Sequence, residues 1–116
     1  KSEKITDILR DLGIPSHVGG YYYLKEAVFI YMKNNNPKKL FVTTDVYPLV
    51  AKKFETSASK VERAIRHAIE VAWSRGRMET LDALFGYTVN HGKGKPTNSE
   101  FIALIADRIR LQYRLH

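Results

Sequence analysis

A long amphipathic helix constrains this chain more than any other feature of its sequence. Over residues 58–75, apolar side chains recur at helical spacing without a break, which predicts one buried face along roughly three turns. Ser57 is placed to cap the start of this helix, and Gly76 is placed to end it. A helix with one apolar face needs other helices or a sheet to cover it. The stripe consists of Val61, Ala64, Ile65, Ala68, Ile69, Ala72 and Trp73.

The rest of the chain predicts partners that are also helical. Gly13, with Pro15 two residues later, is the pattern of a helix end and predicts the end of the first helix. Thr97 and Glu100 have the spacing of a capping box, which predicts the start of the last helix. Residues 38–43 fit either a short strand or an extended lead-in to the next helix. We therefore expect an all-α, compact bundle of about six helices, with residues 1–116 as one unit. Besides 58–75, the predicted helices cover 2–12, 21–33, Thr43 or Thr44 to about Phe54, 78–85, and 98–113.

The composition argues against several classes of protein. The chain has no Cys, which excludes disulfides and thiolate metal sites. No apolar run approaches the ~20 residues of a membrane span, so no membrane partner is expected. The four His show no metal-ligand spacing, and residues 92–97 lack the spacing of a phosphate-binding loop. We find no catalytic grouping and no cofactor motif, and so expect a protein that is not an enzyme.

The charge points to an anionic partner. The formal net charge is +7 and the isoelectric point is about 9.7. Residues 52–77 hold seven Lys or Arg against three Asp or Glu, whereas residues 1–36 hold five against four. Nucleic acid, an anionic membrane and an acidic protein would all suit such a balance. The distribution of the basic residues therefore has to decide among them.

Residues 47–66 have the pattern of a helix-turn-helix. This motif needs two helices joined by a short turn, with a small residue where they pack closely. Ala51 is the small residue, and the turn at 55–57 is short. Many such motifs have Gly in the turn, where this chain has Glu55. From the first helix we expect Val50 and Phe54 to face the core.

The polar face of the second helix carries groups that can read DNA. It presents Ser59, Glu62, Arg63, Arg66, His67 and Glu70. An arginine can hold guanine O6 and N7 with two hydrogen bonds, and a glutamate can accept from cytosine N4. Basic and hydroxyl groups around this face can contact phosphates. These groups are Lys52, Lys53, Lys60 and Ser57, with Lys93 and Lys95 in a loop further along the chain.

Two other interpretations remain open from the residues alone. Glu62 and Arg66 are four residues apart and can form a solvated ion pair on an ordinary surface helix. The chain would then be a helical protein-interaction module whose basic face meets an acidic partner. A binder of RNA or of single strands would need exposed aromatic side chains for stacking, and the aromatics here fall mostly on buried stripes.

At residues 58–76 the sequence ASKVERAIRHAIEVAWSRG resembles the C-terminal effector domains of stage-zero sporulation response regulators. Residues 51–54, 84–89 and 95–103 match the same family. The resemblance implies a six-helix bundle with a helix-turn-helix over about 44–75, in a cytoplasmic bacterial protein. It also implies binding to double-stranded boxes like TGTCGAA, often tandem copies, to activate or repress genes. A receiver domain would precede Lys1.

The resemblance also assigns roles to particular residues. Base-reading positions fall on Lys60, Glu62 and Arg63, while Arg66 and His67 face the DNA backbone. The family often has Arg at the position of Lys60, and Lys lacks the rigid guanidinium fork. The region 76–89 is implied to meet the sigma subunit of RNA polymerase. The candidate contacts there are Gly76, Arg77, Glu79, Asp82 and Phe85.

Overall fold

The computed structural model describes residues 2–34, 40–75, 79, 82–83 and 95–114. These residues form an all-α structure without a β-strand, as predicted. The sixth predicted helix, at 78–85, falls mostly outside the described residues, although Glu79, Asp82 and Ala83 are helical. The helices are α1 (Ser2–Asp11), α2 (Tyr21–Lys33), α3 (Tyr47–Lys53), α4 (Ala58–Arg75) and α5 (Asn98–Arg114), with a π-helical turn at Val42–Val46 before α3.

Helix α2 lies at the centre of the bundle and contacts the other four helices. The apolar stripe predicted for α4 is confirmed, because five of its side chains are almost fully buried in the core. Ala64 and Trp73 on the same stripe are half-buried. The other helices of the bundle thus cover the apolar face of α4. The buried residues of α4 are Val61, Ile65, Ala68, Ile69 and Ala72.

The first helix ends as the sequence predicts. Gly13 has a φ of 84°, in the left-handed region, and its N–H donates to Arg10 O at 2.9 Å. The N–H of Ile14 donates to Leu9 O at 3.0 Å. This pair of bonds is the Schellman motif, in which glycine takes the left-handed position without strain from a Cβ.

A second glycine brings α2 against the backbone of α4. A Cβ placed on Gly20 would lie 2.0 Å from Ala64 O and 2.5 Å from its carbonyl carbon. No side chain fits in that space, so only glycine lets the start of α2 approach α4 this closely. The sequence pattern pointed to close packing at Ala51 and gave no sign of this contact at Gly20.

The start of the third helix was predicted wrongly. Neither Thr43 nor Thr44 caps an α-helix, because Val42–Val46 forms a π-helical turn and α3 begins at Tyr47. The N–H of Phe41 donates to Asp45 Oδ2 at 2.8 Å, so Asp45 closes this turn. Pro48 lies in the first turn of α3, as predicted. Residues 40 and 41 are an extended lead-in, not a strand.

Candidate nucleic-acid interface

The connection between α3 and α4 is a Schellman motif without glycine. The N–H of Thr56 donates to Ala51 O at 2.9 Å, and the N–H of Glu55 donates to Lys52 O at 3.4 Å. Glu55 occupies the left-handed position with a φ of 56°. Many helix-turn-helix motifs have glycine at this position, and Glu55 is thus a residue whose Cβ causes strain in the left-handed conformation. The chain nevertheless makes the turn in four residues.

Phe54 does not face the core, contrary to the prediction. Its side chain is 36% exposed and its ring packs edge-on against Tyr23, with centroids 5.2 Å apart. Tyr22 and Phe41 are also exposed. All three lie outside α4, so the polar face of α4 itself carries none of the exposed aromatic side chains of the described residues.

Ser57 caps α4, as predicted. Its Oγ accepts the N–H of Lys60 at 3.2 Å, and its backbone oxygen accepts the N–H of Val61 at 3.0 Å. The Oγ of Ser59 lies 3.4 Å from that of Ser57. The cap fixes where α4 begins, and hence which side chains stand in its first two turns.

Those first turns present two cations that are not committed to a carboxylate. Lys60 and Arg63 are both exposed. Within the part of the chain that the structure describes, neither side chain forms an ion pair. His67 is exposed on the next turn, with its Nδ1 4.0 Å from Glu70 Oε1. The start of α4 therefore carries positive charge that is available to an anion.

Glu62, between these cations, is already paired. Its Oε2 accepts from Arg66 Nη1 at 2.5 Å, one turn further along α4. The two side chains are 36% and 46% exposed, so this is the solvated helix pair that the sequence allowed. The pair offsets the charge of Glu62, which stands between the cations Lys60 and Arg63 in the first turns of α4.

The two lysines at the end of α3 differ in their surroundings. Both are exposed, but Lys53 Nζ donates to Glu26 Oε1 of α2 at 2.8 Å. The same ammonium lies 5.7 Å from the centre of the Phe54 ring. Lys52 forms no ion pair within the described residues. Of the two, Lys52 is the more available to a phosphate.

A groove of about 320 Å³ brings residues from the C-terminal part of the chain to α4. Its lining includes Glu62 and Arg66 of α4 together with Lys95, Asn98 and Ser99. Lys95 is exposed, so the groove has a second cation besides Arg66. The spacing of these residues in the sequence gave no sign that they meet.

Asn98 is the residue of this groove that sequence reasoning missed. Its Nδ2 donates to the hydroxyl of Tyr47 at 2.9 Å and to Glu62 O at 3.1 Å. Burial raises the pKa of Tyr47, an effect that the hydrogen bond from Asn98 opposes. The carboxylate of Glu62 also raises this pKa, and Arg66 lowers it. Asn98 is the first residue of α5, and nothing in its spacing identifies a contact with α4.

Residues 5–109 match the family described as Sporulation initiation factor Spo0A C terminal. The chain belongs to this family. Its members are DNA-binding regulatory domains of the sporulation response regulator, a class of transcription regulator and not a known enzyme family. The resemblance noted in the sequence is thus confirmed over nearly the whole chain.

Several residues that the sequence predicted as contacts lie outside the described residues. They are Lys93 of the proposed backbone contacts, and Gly76, Arg77 and Phe85 of the proposed sigma contacts. Of the remaining sigma candidates, Glu79 is exposed and Asp82 is half-buried. Over the described ranges, the helices are too short or too polar to cross a membrane, and no group of His and acidic residues is arranged to hold a metal ion.

Proposed function

We propose that this domain reads specific boxes in double-stranded DNA by placing α4 in the major groove. In this proposal α3 and α4 form the helix-turn-helix, over about residues 44–75. A major groove admits one α-helix, and the first turns of that helix meet the base edges. The observation that carries the proposal is the pair of exposed cations at Lys60 and Arg63, which form no ion pair with the described residues and flank a carboxylate on the first turns of α4.

The three side chains divide the reading of bases. Arg63 donates two hydrogen bonds to guanine, and Glu62 accepts from the amino group of cytosine. Lys60 donates to a base acceptor with less directional control than arginine, because its ammonium is a point charge. The carboxylate of Glu62 favours sequence-specific reading of bases over non-specific attraction to the DNA backbone, because phosphates repel a carboxylate. The boxes would resemble TGTCGAA.

The phosphate backbone is met by groups around α4. Lys52, Arg66 and Lys95 are exposed cations at the end of α3, on α4 and shortly before α5. We also assign backbone contacts to Lys53, Ser57, Ser59, His67 and Lys93. Such contacts set the position of the domain on the duplex but do not carry sequence information.

Further interactions follow from the family alone. We propose that the segment at 76–89 meets the sigma subunit of RNA polymerase, with Glu79 as its exposed acidic contact. Copies bound to tandem boxes would then lie side by side on the DNA, and a receiver domain would control their binding. By these contacts the regulator would activate some genes and repress others.

The decisive experiment is a fluorescence-anisotropy titration with two duplexes, one with a TGTCGAA box and one scrambled, at near-physiological salt. We expect at least ~10³-fold tighter binding to the box. In Arg63→Ala, we expect binding to the box to weaken by about 1–3 kcal/mol and the preference at one base position to flatten. Equal, salt-sensitive binding of both duplexes by the unmodified protein would overturn the proposal and leave the interaction-module interpretation.

A further inference from the structure

The Asn98 side chain links three helices at Glu62, one of the proposed base-reading residues of α4. Its amide nitrogen has two hydrogens, so it can donate to Tyr47 and to the carbonyl of Glu62 at the same time. Tyr47 is at the start of α3, Glu62 in the second turn of α4, and Asn98 at the start of α5. The Asn98 side chain therefore connects α3 and α4, the two helices of the proposed helix-turn-helix, to the start of α5.

Asn98 and Tyr47 are both constrained by their surroundings. The start of α5 is fixed by a capping box, in which the N–H of Thr97 donates to Glu100 Oε1 at 2.9 Å and the N–H of Glu100 donates to Thr97 Oγ1 at 3.1 Å. On the other side, Tyr47 is only 4% exposed. Because the cap fixes the backbone at Asn98 and Tyr47 is buried, the bond to the Glu62 carbonyl opposes rotation or sliding of α4 at that residue.

We infer that Asn98 is a positioning residue for base readout, acting through the backbone of Glu62. This inference rests on the proposed function, because it needs Glu62 to meet a base. Hydrogen bonds to base edges form within about 2.7–3.2 Å and weaken steeply with misalignment. When the backbone of Glu62 is held in place before DNA arrives, less freedom is lost on binding, so the junction raises specificity without touching DNA.

The inference is tested by comparing base discrimination in Asn98→Ala with that of the unmodified protein. With the box and scrambled duplexes described above, we expect about a tenfold loss of affinity for the box. Affinity for the scrambled duplex and the salt dependence should stay unchanged, because no charge is removed. Ser99→Ala is the matched control, since Ser99 is the exposed neighbour in the same groove, and its discrimination should equal that of the unmodified protein.

A second comparison separates positioning from general support of the fold. If Asn98 acts through Glu62, then Asn98→Ala should reduce discrimination far less in a Glu62→Ala background than in the unmodified protein. An equal loss in both backgrounds overturns the inference, because Asn98 would then act elsewhere. Unchanged discrimination in Asn98→Ala overturns it as well.

Folding of each variant is followed by circular dichroism. If Asn98→Ala does not fold, Asn98→Ser replaces it, because serine suits a helix start but is too short to reach both acceptors. The same tenfold loss is expected, and its absence contradicts the inference. Failure of the proposed function would look different, since the unmodified protein itself would then show no preference for the box.

Discussion

Glu62 Oε2 and Arg66 Nη1 lie 2.5 Å apart on α4, so a proposed reading group is paired before DNA is present. A phosphate that approaches Arg66 would compete with this carboxylate for the guanidinium. Exchange of partners would release Glu62 towards a base while Arg66 moves to the backbone. The pair is thus compatible with a solvated ion pair on the surface of the free protein and with the proposed DNA contacts of Glu62 and Arg66.

The exchange predicts a particular result for Arg66→Ala. Because the pair is exposed, we expect the free energy of unfolding to change by less than about 0.5 kcal/mol in urea denaturation. The salt dependence of DNA binding should fall by about one counterion, since one phosphate contact is lost. Preference for the box should persist. An unchanged salt slope would show that Arg66 stays away from the backbone.

The lysines at the end of α3 should behave differently when each is replaced by alanine. Lys52 forms no ion pair among the described residues, and we expect Lys52→Ala to lower the salt slope by about one unit. Lys53 is bound to Glu26 at 2.8 Å, so Lys53→Ala should lower the slope by less and cost at most about 1 kcal/mol of stability. Titrations of both variants at several salt concentrations check this order, and the reverse order would contradict it.

Gly20 and the neighbouring Gly19 form a matched pair for testing the contact between α2 and α4. A Cβ at Gly20 would meet Ala64 O at 2.0 Å, so Gly20→Ala should destabilise the fold by about 1–3 kcal/mol. A Cβ at Gly19 would meet nothing within 4 Å, so Gly19→Ala should be neutral or stabilise by up to about 1 kcal/mol. Denaturant unfolding of both variants measures the difference, and equal effects would rule out the close approach.

Glu55 offers a stabilising substitution. It holds a left-handed φ of 56° in the Schellman motif after α3, which costs a residue with a Cβ about 1–2 kcal/mol. Glycine removes that cost but loses more chain entropy on folding, so Glu55→Gly should stabilise by up to about 1 kcal/mol. A rise in Tm of a few degrees is the expected readout. Glu55→Ala keeps the Cβ and controls for the lost charge, so an equal rise there would contradict the explanation.

Much of the fold could be predicted because its signals are local. Apolar spacing gave the range of α4, Gly13 gave the end of α1, and Thr97 with Glu100 gave the start of α5. The π-helical turn at Val42–Val46 was missed, because a threonine pattern suits several kinds of turn. Phe54 was misplaced because helical periodicity ends with the helix, and Phe54 follows its last residue.

What the sequence determined by itself is therefore the identity of the family, the helices α1, α2, α4 and α5, and the charged face of α4. These depend on neighbours within a few turns, whose interactions repeat at a fixed spacing. Tertiary structure alone decided that Gly20 meets Ala64, that Lys53 is paired with Glu26, and that Asn98 reaches the Glu62 carbonyl. Each of these contacts joins residues far apart in the chain, and only the packing of whole helices fixes which distant groups come within hydrogen-bond or van der Waals distance.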